Sequence, residues 1–254
     1  MKSFIKKSYI LILLGLNIFI GCKKDDVSIP VYYLIQSEKL DTLDNSFLLY
    51  FKTSKRYECS NYNIENQFEI SGNEFKISLS EIKKPQICLT ASGPANCEQN
   101  FKQVKEGNYV VKFDINGSDI IGKLTISKSD IDFIIPNNNC INIENPKIKR
   151  VPKQVIWGNL TGKAILDDKT IYNKFLDSLV AIGAKKVNLP DGNYWYFKIT
   201  NGEIFSEEIG DNKFIIEYSN NFEDVKKLVL KFEAKYKESL FIRIETGNGK
   251  VFAN

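Results

Sequence analysis

Residues 107–126, GNYVVKFDINGSDIIGKLTI, contain the clearest structural signal in the chain. Two runs in which apolar and polar residues alternate flank the dipeptide Asn116-Gly117. A two-residue hairpin turn of type I′ needs positive φ at both central residues, and Asn-Gly is a preferred pair for it. The sequence therefore predicts a β-hairpin with one buried face. Its predicted inward side chains are Tyr109, Val111, Phe113, Ile115, Ile120, Leu124 and Ile126.

The same alternation continues on both sides of this hairpin. Phe75, Ile77 and Leu79 share one face of another predicted strand. Further strands are predicted at residues 47–51, 68–70 and 131–135. Many short strands, separated by turns and without a helical period, are typical of a β-sandwich. We therefore predict an immunoglobulin-like all-β domain over residues 31–145.

The pattern changes after Pro146 and Pro152, which predict a linker at 146–153 and a second domain at 154–254. The predicted elements of that domain are a strand at 155–157, a helix at 168–182, strands at 194–200, 204–205 and 214–218, a helix from 221 and a strand at 240–246. This order predicts two helices on one face of a mixed sheet. The expected fold is an α+β, ferredoxin-like variant.

The composition limits the chemistry that the chain can perform. Of 254 residues, 43% are hydrophobic and 26% charged, as in an ordinary globular protein, which excludes collagen-like and polytopic membrane classes. There is no histidine, so catalysis by serine–histidine or cysteine–histidine pairs and histidine-ligated metal sites are excluded. We predict no catalytic residues, no metal site and no cofactor.

The N-terminus has the pattern of a secretory signal peptide. Lys2, Lys6 and Lys7 precede the uncharged run 8–20, SYILILLGLNIFI. That run is shorter than the roughly 20 residues that a transmembrane helix needs. A basic region, a short apolar region and a small residue at the cut site predict a signal peptide over residues 1–21. The alternative is a buried hydrophobic helix.

The four residues Phe19-Ile20-Gly21-Cys22 resemble the lipobox of bacterial lipoproteins. The resemblance implies cleavage before Cys22, diacylglycerol on its Sγ and a further acyl chain on its amine. Two or three long acyl chains anchor a protein stably, so the membrane is an expected partner.

The lipidated tether is predicted over residues 22–30. Within it, Lys24-Asp25-Asp26 resembles the export tether of Bacteroidota surface lipoproteins. The resemblance implies an outer-membrane lipoprotein at the cell surface. Retention on the periplasmic face is the alternative.

The positive charge of the chain belongs to the signal peptide. Residues 1–21 contain three lysines and no acid, so the mature chain has 32 basic and 31 acidic residues and a net charge of about +1. Without a basic stripe, nucleic acid is not an expected partner.

Four cysteines remain after Cys22, namely Cys59, Cys88, Cys97 and Cys140. An even number in an exported protein predicts two disulfides, with three possible pairings. We favour Cys88–Cys97, which leaves Cys59–Cys140. A zinc site is the competing interpretation, although the chain has no C-x-x-C pair.

A candidate binding surface lies in the second domain. Tyr194 and Tyr196 alternate with Trp195 and Phe197 along a predicted strand. If the helices cover the Trp195 face, Tyr194, Tyr196 and Lys198 line an open platform. The alternative is that both faces are buried, one by the helices and one by the first domain.

We therefore expect a lipid-anchored, non-catalytic envelope protein that binds a protein or a glycan. One alternative is an immunity or inhibitor protein, with the loop around Ser92-Gly93-Pro94 as its docking element. Another is a hydrolase that uses paired carboxylates. Its candidate residues are Glu203, Glu207, Glu208 and Asp211. Exposed aromatic side chains favour a glycan ligand, and a rigid exposed loop favours an inhibitor.

Overall fold

The computed structural model of the chain describes residues 30–43, 45–89, 91–206, 212–237 and 239–253. The predicted hairpin is confirmed, because strands Gly107–Ile115 and Ser118–Ile126 pair antiparallel with Ile115 opposite Ser118. Asn116 and Gly117 have φ of 51° and 78°, as a type I′ turn requires. All of the predicted inward side chains are buried.

The described residues up to 149 form ten strands. They are β1 (Tyr32–Lys39), β2 (Ser46–Tyr57), β3 (Asn63–Ser71), β4 (Glu74–Lys83), β5 (Gly93–Lys102), β6 (Gly107–Ile115), β7 (Ser118–Ile126), β8 (Asp130–Ile134), β9 (Ile141–Ile143) and β10 (Lys147–Lys149).

These strands belong to one mixed sheet, with the order β10-β8-β7-β6-β4-β3-β5-β2-β1-β9, so the predicted immunoglobulin-like sandwich is wrong. A sandwich needs two separate sheets packed face to face. Here the single sheet curls, and its inner face holds one hydrophobic core. Register shifts between Lys52 and Arg56 in β2 and between Ile64 and Asn66 in β3 are irregularities of the kind that bend long strands.

The two edge strands of the curled sheet, β9 and β10, are separated in the chain only by residues 144–146. Gln36 of β1 is fully buried, and its side-chain amide donates to the carbonyl oxygens of Asn145 and Pro146, each at 2.8 Å. The Asn145 side chain accepts from the Gln36 backbone N–H at 2.8 Å and donates to the Gln36 carbonyl. These bonds attach the segment between the edges to strand β1.

The second half of the chain contains the helices. Its elements are β11 (Val155–Thr161), α1 (Lys163–Asp167), α2 (Thr170–Ala181), β12 (Lys185–Lys186), β13 (Gly192–Asn193), β14 (Lys198–Thr200), β15 (Glu203–Phe205), β16 (Lys213–Glu217), α3 (Phe222–Tyr236), β17 (Phe241–Thr246) and β18 (Val251–Phe252). Both predicted long helices are present. Asn221 caps α3, because its side chain accepts a hydrogen bond from the Glu223 N–H at 3.1 Å.

The prediction of a clearly separate, ferredoxin-like α+β domain is nevertheless wrong. A five-stranded sheet runs in the order β12-β16-β11-β17-β18, and each described pair in it is antiparallel. In addition, β13, β14 and β15 form a sheet of their own. The helices pack on one face of the five-stranded sheet.

The C-terminal half is not a clearly separate α+β domain. A third hydrophobic cluster includes Leu40 and Val151 together with Trp157, Tyr194 and Phe197. It therefore connects the end of β1 to the helix-free side of β11. Residues 146–153, the predicted linker, include strand β10 of the large sheet.

A buried ion pair joins the end of β1 to the segment between β10 and β11. The Arg150 guanidinium donates to Glu38 Oε1 from Nε at 2.9 Å and from Nη2 at 2.7 Å. The Glu38 side chain is only 8% exposed. The chain between the two halves is therefore fixed by charge pairing as well as by apolar packing.

Candidate functional site

The predicted strand at 194–200 begins as a tight turn. The Tyr194 N–H donates to the Phe197 carbonyl at 2.8 Å, and the Tyr196 N–H donates to the Tyr194 carbonyl at 2.9 Å. The second bond closes a three-residue γ-turn with Trp195 at its centre. This turn joins β13 to β14, so side chains 194–197 do not alternate between two faces of a strand.

Tyr194 is buried and does not line an open platform, whereas the other two predicted binding residues, Tyr196 and Lys198, line a surface groove. Tyr194 is 3% exposed and stacks on Phe197 with ring centroids 5.0 Å apart. Burial, with smaller contributions from Asp130 and Asp191, raises the pKa of Tyr194 to about 12. The phenol donates to the Pro190 carbonyl at 2.9 Å. Tyr194 therefore belongs to the shared hydrophobic cluster.

Tyr196 is half-buried against the five-stranded sheet. Its ring lies 5.7 Å from that of Trp157. Its hydroxyl accepts from the Leu40 N–H and donates to the Glu38 carbonyl, each at 3.1 Å. These hydrogen bonds of the Tyr196 hydroxyl connect the turn between β13 and β14 to the end of β1.

Trp195 is the side chain that the turn directs outward. It is 44% exposed, although Tyr194 and Phe197 on either side are buried. Its φ is 69°, a value that is rare for a bulky residue and costs roughly 1–3 kcal/mol. The Asn193 carboxamide oxygen accepts from the Trp195 N–H at 2.9 Å and supports this conformation.

A groove of about 480 Å³ lies beside Trp195. It is lined by Asn193, Trp195, Tyr196, Phe197, Lys198, Phe205, Ser206 and Lys213. We call it the Trp195 groove. Lys198 pairs with both Asn193 and Phe205 in the three-stranded sheet, so these three side chains lie in a row on one face. Phe205 is 48% exposed.

The chemistry of the Trp195 groove suits recognition. Two exposed aromatic rings supply apolar faces, while Asn193 supplies amide donors and acceptors and Lys198 supplies an ammonium group. Lys213 is held in place, because its Nζ donates to the Ser206 carbonyl at 3.1 Å. The groove is therefore a candidate binding site that would suit a ligand with a flat apolar face and a polar edge.

A second cavity, of about 730 Å³, lies at the junction of the two halves. Lys128, Lys149, Arg150 and Lys153 are among the residues that line it, with Glu106. Two of these cations are already neutralised, because Lys149 pairs with Asp130 at 3.1 Å and Arg150 pairs with Glu38. This cavity is therefore a weaker candidate for an anionic ligand than its lining residues suggest.

The prediction that the chain contains a disulfide is confirmed, but the predicted pairs Cys88–Cys97 and Cys59–Cys140 are wrong. Cys59 is bonded to Cys88, with Cα atoms 5.3 Å apart. Cys97 is a buried free thiol within β5, where it lies opposite Phe51 and faces the core. Cys88 precedes that strand on the surface, so nearness in sequence does not bring Cys88 and Cys97 together. Cys140 is buried beside β9.

The carboxylates proposed for hydrolysis are only partly described. Glu203 is exposed on β15, and Glu207, Glu208 and Asp211 lie outside the described residues. Within the described ranges, no group of three or more Cys, Asp or Glu side chains is arranged to hold a metal ion.

The lipidation and export residues Cys22, Lys24, Asp25 and Asp26 also lie outside the described residues, as does the signal segment. In the part of the chain that the structure describes, no helix is long and apolar enough to span a membrane.

Comparison with known proteins adds no family to this description. No protein-family model matches the chain, and neither a curated protein nor a solved structure matches it significantly.

Sequence reasoning identified the correct hairpin and two residues of the groove, Tyr196 and Lys198, but it assigned Tyr194 to the open face and Trp195 to the covered one. Trp195, Phe205 and Asn193 line the Trp195 groove, and none of them was predicted as a binding residue. A usable signal was present in Pro190-Asp191-Gly192-Asn193, a composition typical of turns. A turn directly before residue 194 argues against a straight strand through it.

Proposed function

We propose that the protein is a lipid-anchored, non-catalytic binding protein of the bacterial cell envelope, and that the Trp195 groove binds a glycan. The observation that carries the proposal is the exposed indole of Trp195, directed outward by a positive φ and lining one groove with Phe205. A sugar ring has a face of C–H groups that packs on aromatic rings. Its hydroxyl groups bond to amides and amines, which Asn193 and Lys198 provide.

The envelope location is supported by the resemblance of residues 19–22 to a lipobox and of residues 24–26 to an export tether. A binding protein at the cell surface needs no catalytic group of its own. It needs an anchor and an accessible recognition site, and Trp195 is accessible.

Tryptophan fluorescence offers a direct test of glycan binding. The chain has two tryptophans, of which Trp157 is 1% exposed and Trp195 is 44% exposed. A glycan on Trp195 should shift the emission to shorter wavelength and reduce its quenching by acrylamide. A glycan array identifies which sugars to titrate.

The variant Trp195→Ala should lose at least tenfold in affinity. Phe241→Ala is the matched control, because Phe241 is 48% exposed and does not line the groove. The proposal fails if Trp195→Ala binds as tightly as the natural protein, or if no glycan on a broad array is bound.

The anchor and its orientation need a separate experiment on intact cells. Cys22→Ala should remain an unlipidated precursor, as seen by the absence of labelled acyl chains. Added protease should degrade the natural protein, whereas an Asp25→Ala, Asp26→Ala variant should be protected. Protection of both forms would place the protein on the periplasmic side.

A rigid exposed loop, the feature expected of an immunity or inhibitor protein, is also present. It follows β4 and contains Cys88. The predicted tip at Ser92-Gly93-Pro94 is incorrect, since Gly93 is buried at the start of β5.

A further inference from the structure

The described part of the segment between β4 and β5, residues 84–89 and 91–92, presents aliphatic side chains to solvent. Ile87 is 78% exposed and Leu89 is 55% exposed, and Cys88 between them is exposed as well. We call this segment the clamped loop. Single exposed aliphatic residues are common on protein surfaces, but here two of them flank one cysteine.

The clamped loop is held by the turn between β2 and β3 through several independent contacts. The Cys59–Cys88 disulfide fixes its centre. The Asn61 side chain bonds on both sides of that disulfide, because its amide donates to the Ile87 carbonyl at 2.8 Å and its oxygen accepts from the Leu89 N–H at 3.1 Å. The backbone that carries Ile87 and Leu89 is therefore preorganised.

Charged side chains hold the two ends of the loop. Lys84 pairs with Glu58 at 2.5 Å, and Arg56 Nη2 donates to the Ser92 carbonyl at 2.5 Å. Exposed loops normally lose conformational freedom when they bind, and a clamp removes much of that cost beforehand. Such a clamp has little effect on the core, because Ile87 and Leu89 do not pack in it.

We propose that the clamped loop is a docking element for a partner protein that offers an apolar cleft with an acidic rim. The convex tip with Ile87 and Leu89 suits a concave apolar site. Arg56 holds the Ser92 end of the loop, and neither it nor its neighbour Lys55 has a carboxylate partner within the described ranges, so an acidic rim complements them. This site is separate from the Trp195 groove and does not depend on the glycan proposal.

A bilayer is a less suitable occupant than a protein cleft. The apolar tip consists of two aliphatic side chains, with no aromatic residue between Lys84 and Leu89. Interfacial membrane segments bury a larger apolar face, commonly with aromatic residues.

The test is site-specific photo-crosslinking in intact cells that produce the full chain. A photoreactive residue replaces Ile87 or, as the matched control, Leu166, which is 77% exposed on α1. We expect a discrete protein adduct from position 87 and none from position 166. Lys55→Glu and Asn61→Ala should each reduce the adduct at least fivefold, the first by charge repulsion and the second by releasing the clamp.

Several outcomes would overturn the proposal. These are no adduct at position 87, equal adducts at both positions, or an adduct insensitive to Lys55→Glu. Should Asn61→Ala unfold the protein, as judged by circular dichroism, Leu89→Asp replaces it and must abolish the adduct.

Two measurements on purified protein test whether the clamped loop binds a membrane or a second copy of the chain instead of a partner protein. A purified chain that begins at residue 23, without the signal segment and the acceptor thiol, should not sediment with phosphatidylglycerol-containing vesicles. It should also remain monomeric in sedimentation velocity. Vesicle binding or a dimer that Ile87→Asp abolishes would assign the loop to a membrane or to a second copy, and would refute a separate partner protein.

Discussion

The backbone of Trp195 can be tested by comparing two variants that both remove its indole. Trp195→Gly and Trp195→Ala both lose the packing of the indole ring, so the difference in stability between them comes from the backbone at φ of 69°. Alanine in this left-handed region costs roughly 1–2 kcal/mol, and glycine adopts it freely. The greater conformational entropy of glycine in the unfolded chain opposes this effect and destabilises the folded glycine variant by roughly 0.4–1 kcal/mol relative to alanine. We expect the glycine variant to be more stable by about 0.5–1 kcal/mol, the difference of these effects.

Urea denaturation followed by the fluorescence of Trp157 measures both free energies of unfolding. A thermal scan should show the glycine variant melting about 1–4 °C higher, as expected for a protein of this size. Lys198 in strand β14 provides the control pair, because there alanine should be more stable than glycine. If the two Trp195 variants show the same order as the Lys198 pair, the argument from backbone strain is refuted.

Three further predictions follow from buried groups. Burial raises the pKa of Cys97 to about 12, so its thiol should resist iodoacetamide at pH 8 until the protein unfolds, and peptide mapping of labelled native protein checks this. Arg150→Met leaves the Glu38 carboxylate buried without its partner and should lower the free energy of unfolding by about 3 kcal/mol, as measured by urea titration. A Glu38→Gln, Arg150→Met double variant removes the unpaired charge and should recover part of that loss. The pKa of Tyr194 is higher in the folded than in the unfolded protein, so the stabilisation that its neutral phenol gives is complete below pH 10 and declines as the pH rises toward 12. The melting temperature of Tyr194→Phe should therefore fall less at alkaline pH than that of the natural protein.

The strands could be predicted from the sequence, but their neighbours could not. Alternation reports which side of a strand is buried, and it placed Phe75, Ile77 and Leu79 correctly. It carries no information on which strands pair. The parallel pairing of β4 with β6 and of β1 with β9 depends on contacts between distant segments. For that reason individual elements were correct and the sandwich was wrong.

The candidate site was limited by the same kind of local reasoning. Tyr194, Tyr196 and Trp195 were assigned faces on the assumption of a continuous strand. The γ-turn at Trp195 breaks that period, and the hydroxyl of Tyr196 finds partners in β1 and the residue after it, which only the tertiary structure brings near. The disulfide shows a similar limit, since the orientation of Cys97 toward the core outweighed its nearness to Cys88 in the chain.

The parallel pairing of β1 with β9 has a consequence for how the chain reaches its native state. Tyr32 lies opposite Ile141, so the first strand of the sheet receives its second neighbour from a segment more than a hundred positions later. Contacts at such separation slow folding, because the intervening chain must be ordered before they form. A chain that stops before residue 141 would expose strand edges on both β1 and β8, and open edges of this kind promote aggregation. Truncations in this region should therefore give insoluble protein instead of a smaller folded unit.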